Sequence, residues 1–230
     1  MGSDARARPL PTADLQSEGL DRIASKAHSS SYVFEDWTIY HEQALPKILR
    51  SALDAFAETG YHGTSTRVLA KSSMLSVPGM YHHYVTKQHI LFDLMMLVMD
   101  ELLGRTKAAI ASASETAKAQ LDAMVTSMLL FHMHRQKGVL VSIRELGSLG
   151  PDMRSAYLAQ RADLQCMLDE IILRGIADGA FETPFPAEAS RAIQSLCVGL
   201  ANWYRSDGPL DAETLVARHL SIVDGIVGYR

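Results

Sequence analysis

Cysteine is almost absent: Cys166 and Cys197 are the only two in 230 residues, and neither sits in a CxxC or metal-ligand spacing. Two buried thiols in a cytoplasmic, reducing compartment are the expectation, ahead of a single disulfide between them. Aromatics are scarce at 7%, while apolar residues reach 47% and are dominated by Ala, Leu, Met and Ile, a bias toward helices over sheets. No apolar run reaches membrane length. The longest, Ile90 to Met99, is interrupted by Asp93, and the N-terminus has no apolar signal core. No alternating apolar–polar run suggests a strand, and no repeat is present. The chain also lacks a nucleophile elbow, an HExxH, a phosphate-cradling glycine loop and a convincing carboxylate pair, so neither catalysis nor a cofactor is expected. His132 and His134 stand two apart, which on a helix points them to different sides and makes a poor metal pair.

Excess positive charge is missing too, since the net charge is −4. The average hides an asymmetry. Residues 42–90 carry Lys47, Arg50, Arg67, Lys71 and Lys87 against Glu42, Asp54 and Glu58, a net of +2, together with His62, His82, His83 and His89. Only this segment leans toward a polyanion.

What is present is helical punctuation. Residues 1–30 show no sustained period and read as a disordered tail, and residues 31–40 (SYVFEDWTIY) allow either a short extra helix or an arm. From Gln43 to Thr59 apolar residues recur at helical spacing, and Gly60 offers a left-handed cap. Thr64, Ser65 and Thr66 offer N-caps for a short helix, Arg67–Ser72. Met74–Leu75 makes a turn, and Ser76 caps a third helix, Val77–Tyr84, with Pro78 tolerated in its first turn. Thr86 caps a long fourth helix to about Ile110. Further helices are expected at 114–136, 138–147, 152–178, 187–206 and 211–227, separated by Gly/Pro/Ser clusters. The fold class is all-α. Residues 1–41 form a tail with the undecided segment, residues 42–88 a three-helix DNA-binding domain with a helix-turn-helix, and residues 89–230 a larger helical ligand-binding and dimerisation domain.

The ungapped stretch from Ile48 to Leu91, ILRSALDAFAETGYHGTSTRVLAKSSMLSVPGMYHHYVTKQHIL, resembles the DNA-binding domain of the TetR family of repressors. Ile48, Ala52, Phe56, Gly60-Tyr61, Thr64 to Thr66, Leu69-Ala70, Ser76, Tyr81, Tyr84, Lys87 and Leu91 carry the likeness. Two positions depart from the family, which usually has Gly where this chain has Met74 and often where it has Pro78. The resemblance implies operator DNA as partner. Thr66 and Lys87 would meet phosphates, and Tyr81 and Tyr84 would contact the backbone or pack. Val77, Pro78, Met80, His82 and His83 are groove-facing candidates, although the two histidines also read as ordinary exposed imidazoles. The recognition face has no Arg, Asn or Gln to pair bidentately with a base, which points to methyl contacts, histidine donors and DNA shape.

In the larger half, methionines cluster on two helices. Any one of them is ordinary core, but the concentration raises the expectation of an adaptable apolar cavity among helices four to eight. Met95, Met99, Met128, Phe131, Arg144, Tyr157, Asn202 and Trp203 are the candidate ligand contacts, with His132, His134 and Glu145 as further polar candidates. The stretch from Gly150 onward is similar to TetR members that control fatty-acid or sterol breakdown, several of which respond to acyl-CoA thioesters. That likeness makes an acyl-CoA or other lipid-like molecule the implied effector, and the last two helices the implied homodimer interface. The rival reading is a helical ligand- or partner-binding protein that no longer reads DNA.

Overall fold

The computed structural model describes Phe34 and residues 36–229, so the expectation of a disordered tail over residues 1–30 lies outside the described residues. Nine α-helices follow one another among the described residues, and no strand occurs there: α1 Lys47–Gly63, α2 Thr66–Ser72, α3 Val77–His83, α4 Lys87–Ser112, α5 Ala117–His134, α6 Gln136–Glu145, α7 Pro151–Ala177, α8 Pro186–Trp203 and α9 Ala212–Val227. A single 3₁₀ turn, Leu146–Ser148, links α6 to α7.

The helix starts follow capping chemistry. Ser65, Ser76, Thr86, Thr116 and Asp211 each accept a hydrogen bond from a first-turn amide, satisfying donors that have no partner within the helix. Two boundaries differ from the sequence expectation. Helix α1 begins at Lys47 rather than Gln43, because Pro46 holds an extended backbone ahead of it. Gly60 breaks α1 rather than ending it: its φ of 74° is left-handed, and one more turn, Tyr61–Gly63, follows.

Residues 36–46 carry no helix, which settles the open choice at 31–40 in favour of an extended arm for the described part. The arm lies on α4 and the α5–α6 corner. Buried Glu101 accepts from Arg105 at 3.0 Å, Arg135 at 2.9 Å and Gln43 at 3.0 Å. Arg105 donates onward to the carbonyls of Trp37 and Ile39. Its guanidinium sits 3.8 Å from the Tyr40 ring centroid, a cation–π contact, and Tyr40 also stacks on His134.

One continuous apolar core runs from Ile48 to Val227. Helix α4 belongs to both ends of it: Ile90 and Leu91 lie beside α1–α3, and Leu94 to Leu103 enter the bundle. Helix α5 is the bundle's centre, packed against α4, α7, α8 and α9. No described helix is long and apolar enough to cross a membrane. Both cysteines are free; Cys197 is buried as expected, but Cys166 is exposed because it falls on the solvent side of α7.

Candidate functional site

Helices α2 and α3 are joined by a turn whose tightness comes from Met74. Its φ of 58° makes it the one left-handed non-glycine residue among those described. The Met74 amide donates to the Lys71 carbonyl and the Leu75 amide to Ala70, which reverses the chain at once. Met74 itself is 75% exposed. Helix α3 then presents Pro78, Tyr81, His82 and His83 to solvent, while Thr66 and Val77 are half-buried. His82 and His83 stand edge to face, with ring centroids 5.6 Å apart.

Two DNA candidates are placed elsewhere. Met80 is fully buried: it faces inward from α3 and joins the core with Leu69 and Ile90, so it cannot reach a base. The Lys87 ammonium donates to the carbonyls of Tyr61 and Thr64, both at 2.7 Å, and lies 4.1 Å from the Tyr61 ring centroid. It closes the end of α1 rather than standing free for a phosphate. Tyr84 is half-buried, and its hydroxyl is hydrogen-bonded to Asp93, with burial holding its ionisation above the usual range. It pins the end of α3 to α4. The residues that sequence reasoning passed over are Arg67 and Lys71, both exposed on α2 beside α3; the signal was their charge in the one net-positive segment.

A second feature is a cavity of about 60 Å³ enclosed by α4 to α8. Val98, Met99, Leu102, Phe131, Val139 and Leu164 form its apolar walls, with Ile143 and Val198 beside them. His132, Ser142, Tyr157, Arg161 and Gln194 supply polar groups. Of the ligand candidates, Met99, Phe131 and Tyr157 come together here. Met95 and Met128 are fully buried but line other parts of the core. Arg144, Asn202 and Trp203 are exposed and away from the cavity. Arg144 turns outward on α6 because Val141 and Ser142 occupy that helix's inner face. Asn202 and Trp203 end α8 at the surface, where Trp203 stacks against His219. His134 is exposed under the arm. Arg161, Gln194 and Ser142 were missed, because only tertiary packing brings α6, α7 and α8 to one place.

The cavity and the DNA-reading helices share a joint. Helix α6 contributes Val139, Ser142 and Ile143 to the cavity wall, and it ends at Glu145. Glu145 Oε1 accepts from the Tyr61 amide at 3.0 Å, just past the Gly60 break. Ser148 donates to Glu145 and meets His62, and Gln88 donates to the Ser148 carbonyl. Lys137 pairs with Asp54 on the same flank at 2.8 Å. Among the described residues no cluster of His, Cys, Asp and Glu could hold a metal ion.

A short exposed helix on a tight turn, tied through one long helix to a bundle with its own cavity, defines a one-component helix-turn-helix regulator. Residues 48–94 match the family model for bacterial regulatory proteins of the tetR family, and residues 114–227 match that for the tetracyclin repressor-like C-terminal domain. The chain belongs to the TetR family of DNA-binding transcriptional regulators. It is 26% identical over 183 residues to the HTH-type transcriptional repressor KstR2 of Rhodococcus jostii, covering 78% of this chain and 89% of that one. A tetR-family regulatory protein from Rhodococcus RHA1 superposes with a TM-score of 0.73 at 28% identity, covering 80% of this chain and 96% of the other. AibR, solved with isovaleryl coenzyme A and operator DNA, shares the fold with a TM-score of 0.71 at 21% identity, covering 80% and 97%.

Proposed function

We propose that the protein is a homodimeric repressor, released from a palindromic operator when the acyl part of a coenzyme A thioester enters the α4–α8 cavity. Residues 42–88 read the operator, and residues 89–230 sense the ligand and hold the dimer. The observation that carries this reading is the joint: one helix, α6, both walls the cavity and holds the end of α1 through Glu145. At about 60 Å³ the cavity is far smaller than the ~300 Å³ or more that encloses a whole small ligand. A ligand must therefore part α6 from α4 and α7. That displacement moves Glu145 against Tyr61, and with it the start of α2, which Lys87 ties to α1. A ligand favouring the parted state lowers operator affinity by the ratio of its affinities for the two states.

The ligand class is supported by the apolar walls with Arg161 at the solvent side, which suits an apolar acyl group carrying an anionic carrier, and by the thioester in AibR. The repressor sign is supported by the KstR2 relative. The dimer face is α8 with α9. Ile222 and Trp203 are half or more exposed there, and a Cβ added at Gly199 or Gly225 would meet nothing within 4 Å, leaving a face open to close helix approach. Arg67, Lys71, Tyr81, His82 and His83 meet the DNA. A mobility-shift assay on the DNA beside the protein's own gene tests the proposal. Retardation that salt weakens and short-chain acyl-CoA relieves is expected. No retardation at low salt would favour a helical ligand-binding protein that has lost DNA reading.

A further inference from the structure

We infer that the effector's buried end carries a hydroxyl group, whose hydrogen His132 Nε2 accepts; the inference rests on the α4–α8 cavity being the sensor site. His132 lines that cavity and is 2% exposed. Its Nδ1 lies 2.5 Å from the carbonyl oxygen of Met128, one turn earlier on α5. A carbonyl can only accept, so Nδ1 carries the ring hydrogen and Nε2 keeps a bare lone pair. Burial pushes the ionisation of the imidazole down to about 4, so the ring is neutral at physiological pH and Nε2 cannot donate. Among the described residues, the bond to Met128 is the only hydrogen bond the His132 side chain makes.

One neighbouring hydroxyl points the same way. Ser142 donates to the Gly138 carbonyl at 2.9 Å. The Ser142 hydroxyl therefore offers a lone pair, not its hydrogen, to a guest. Arg161, which can only donate, is exposed, and Gln194, whose amide both donates and accepts, is half-buried. The cavity thus offers acceptors at buried His132 and Ser142 and a donor at exposed Arg161. A carbonyl or phosphate belongs outside, beside Arg161. A plain hydrocarbon tail would seal the His132 lone pair against Met99 and Phe131 without a partner, whereas a hydroxylated tail satisfies it. A buried polar group left unpaired disfavours the deoxy ligand by about tenfold or more.

Isothermal titration of the full chain with butyryl-, hexanoyl- and octanoyl-CoA tests this, each beside forms carrying one hydroxyl at successive chain carbons. At least one hydroxylated form should bind about tenfold tighter than its parent. His132→Phe should erase that ratio, and His132→Gln, whose amide oxygen still accepts, should preserve part of it. Nitrogen NMR of the wild-type imidazole gives an answer that does not depend on either variant folding: the Nε2 resonance should move toward its hydrogen-bonded position only with the hydroxylated form. If hydroxylated and parent thioesters bind equally, or Nε2 does not move, the inference is overturned and the sensor reading stands. If no thioester binds at all, both fall.

Discussion

At the scale of single residues, His132 has a consequence for stability as well as for recognition. Its folded-state ionisation, about 4, lies below the 6.5 of an unfolded chain. Between those values the unfolded state binds the extra proton, so stability is full above pH 6.5 and falls as the pH drops toward 4, by an amount on the order of 3 kcal/mol. Urea denaturation across that window should show the wild type with a steeper loss than His132→Gln, whose remaining slope comes from His89 and His134, lowered chiefly by burial too. Met74 is a second local stress. A side chain held at φ 58° costs about 1–2 kcal/mol, part of which glycine's greater unfolded-state freedom gives back. Met74→Gly should therefore raise stability by about 0.5–1 kcal/mol in the same assay. Lys87 and Arg67 separate two roles that look alike in sequence. Arg67→Gln should lower the salt dependence of operator binding by about one counterion, whereas Lys87→Gln should weaken binding with the slope unchanged. The family resemblance implied Lys87 at a phosphate, whereas the two carbonyls that claim it are brought there by folding. Met80 misled for a related reason: on a seven-residue helix, one-dimensional spacing does not say which side meets α4.

At the scale of elements, the helices were legible and their joints were not. Caps, glycines and apolar period placed nine helices to within a few residues, since these signals act within one turn of chain. The arm over residues 36–46 was not, because its order comes from Glu101, Arg105 and Arg135, three side chains far away in sequence. Glu101 is the only carboxylate between two guanidiniums there, and it is 4% exposed. Glu101→Ala would leave Arg105 buried without a counter-charge, and a loss of about 3 kcal/mol is expected by chemical denaturation. Glu145 makes a different prediction. Its bond to Tyr61 couples α6 to α1, so Glu145→Ala should bind thioester normally yet release operator poorly. Parallel calorimetry and mobility-shift titrations would separate those two effects, and equal losses in both would argue that Glu145 serves only folding.

At the scale of the whole molecule, the proposed function requires two recognition helices on successive major grooves, roughly 34–36 Å apart, and a symmetric body to hold them. The family resemblance implied that body in the last two helices, and the sequence reading assigned Trp203 to the ligand. Trp203 stands instead at the surface end of α8, over His219. Ile222→Lys on the exposed side of α9 should yield monomers in sedimentation and abolish operator retardation, with the fold retained by circular dichroism. The most direct measurement of the account is the stoichiometry and salt dependence of binding to a palindrome from upstream of the protein's own gene, followed by fluorescence anisotropy. Saturation at two protomers per duplex is predicted, with affinity falling steeply as salt rises and again as acyl-CoA is added. A flat titration at low salt, or a single protomer per palindrome, would contradict it.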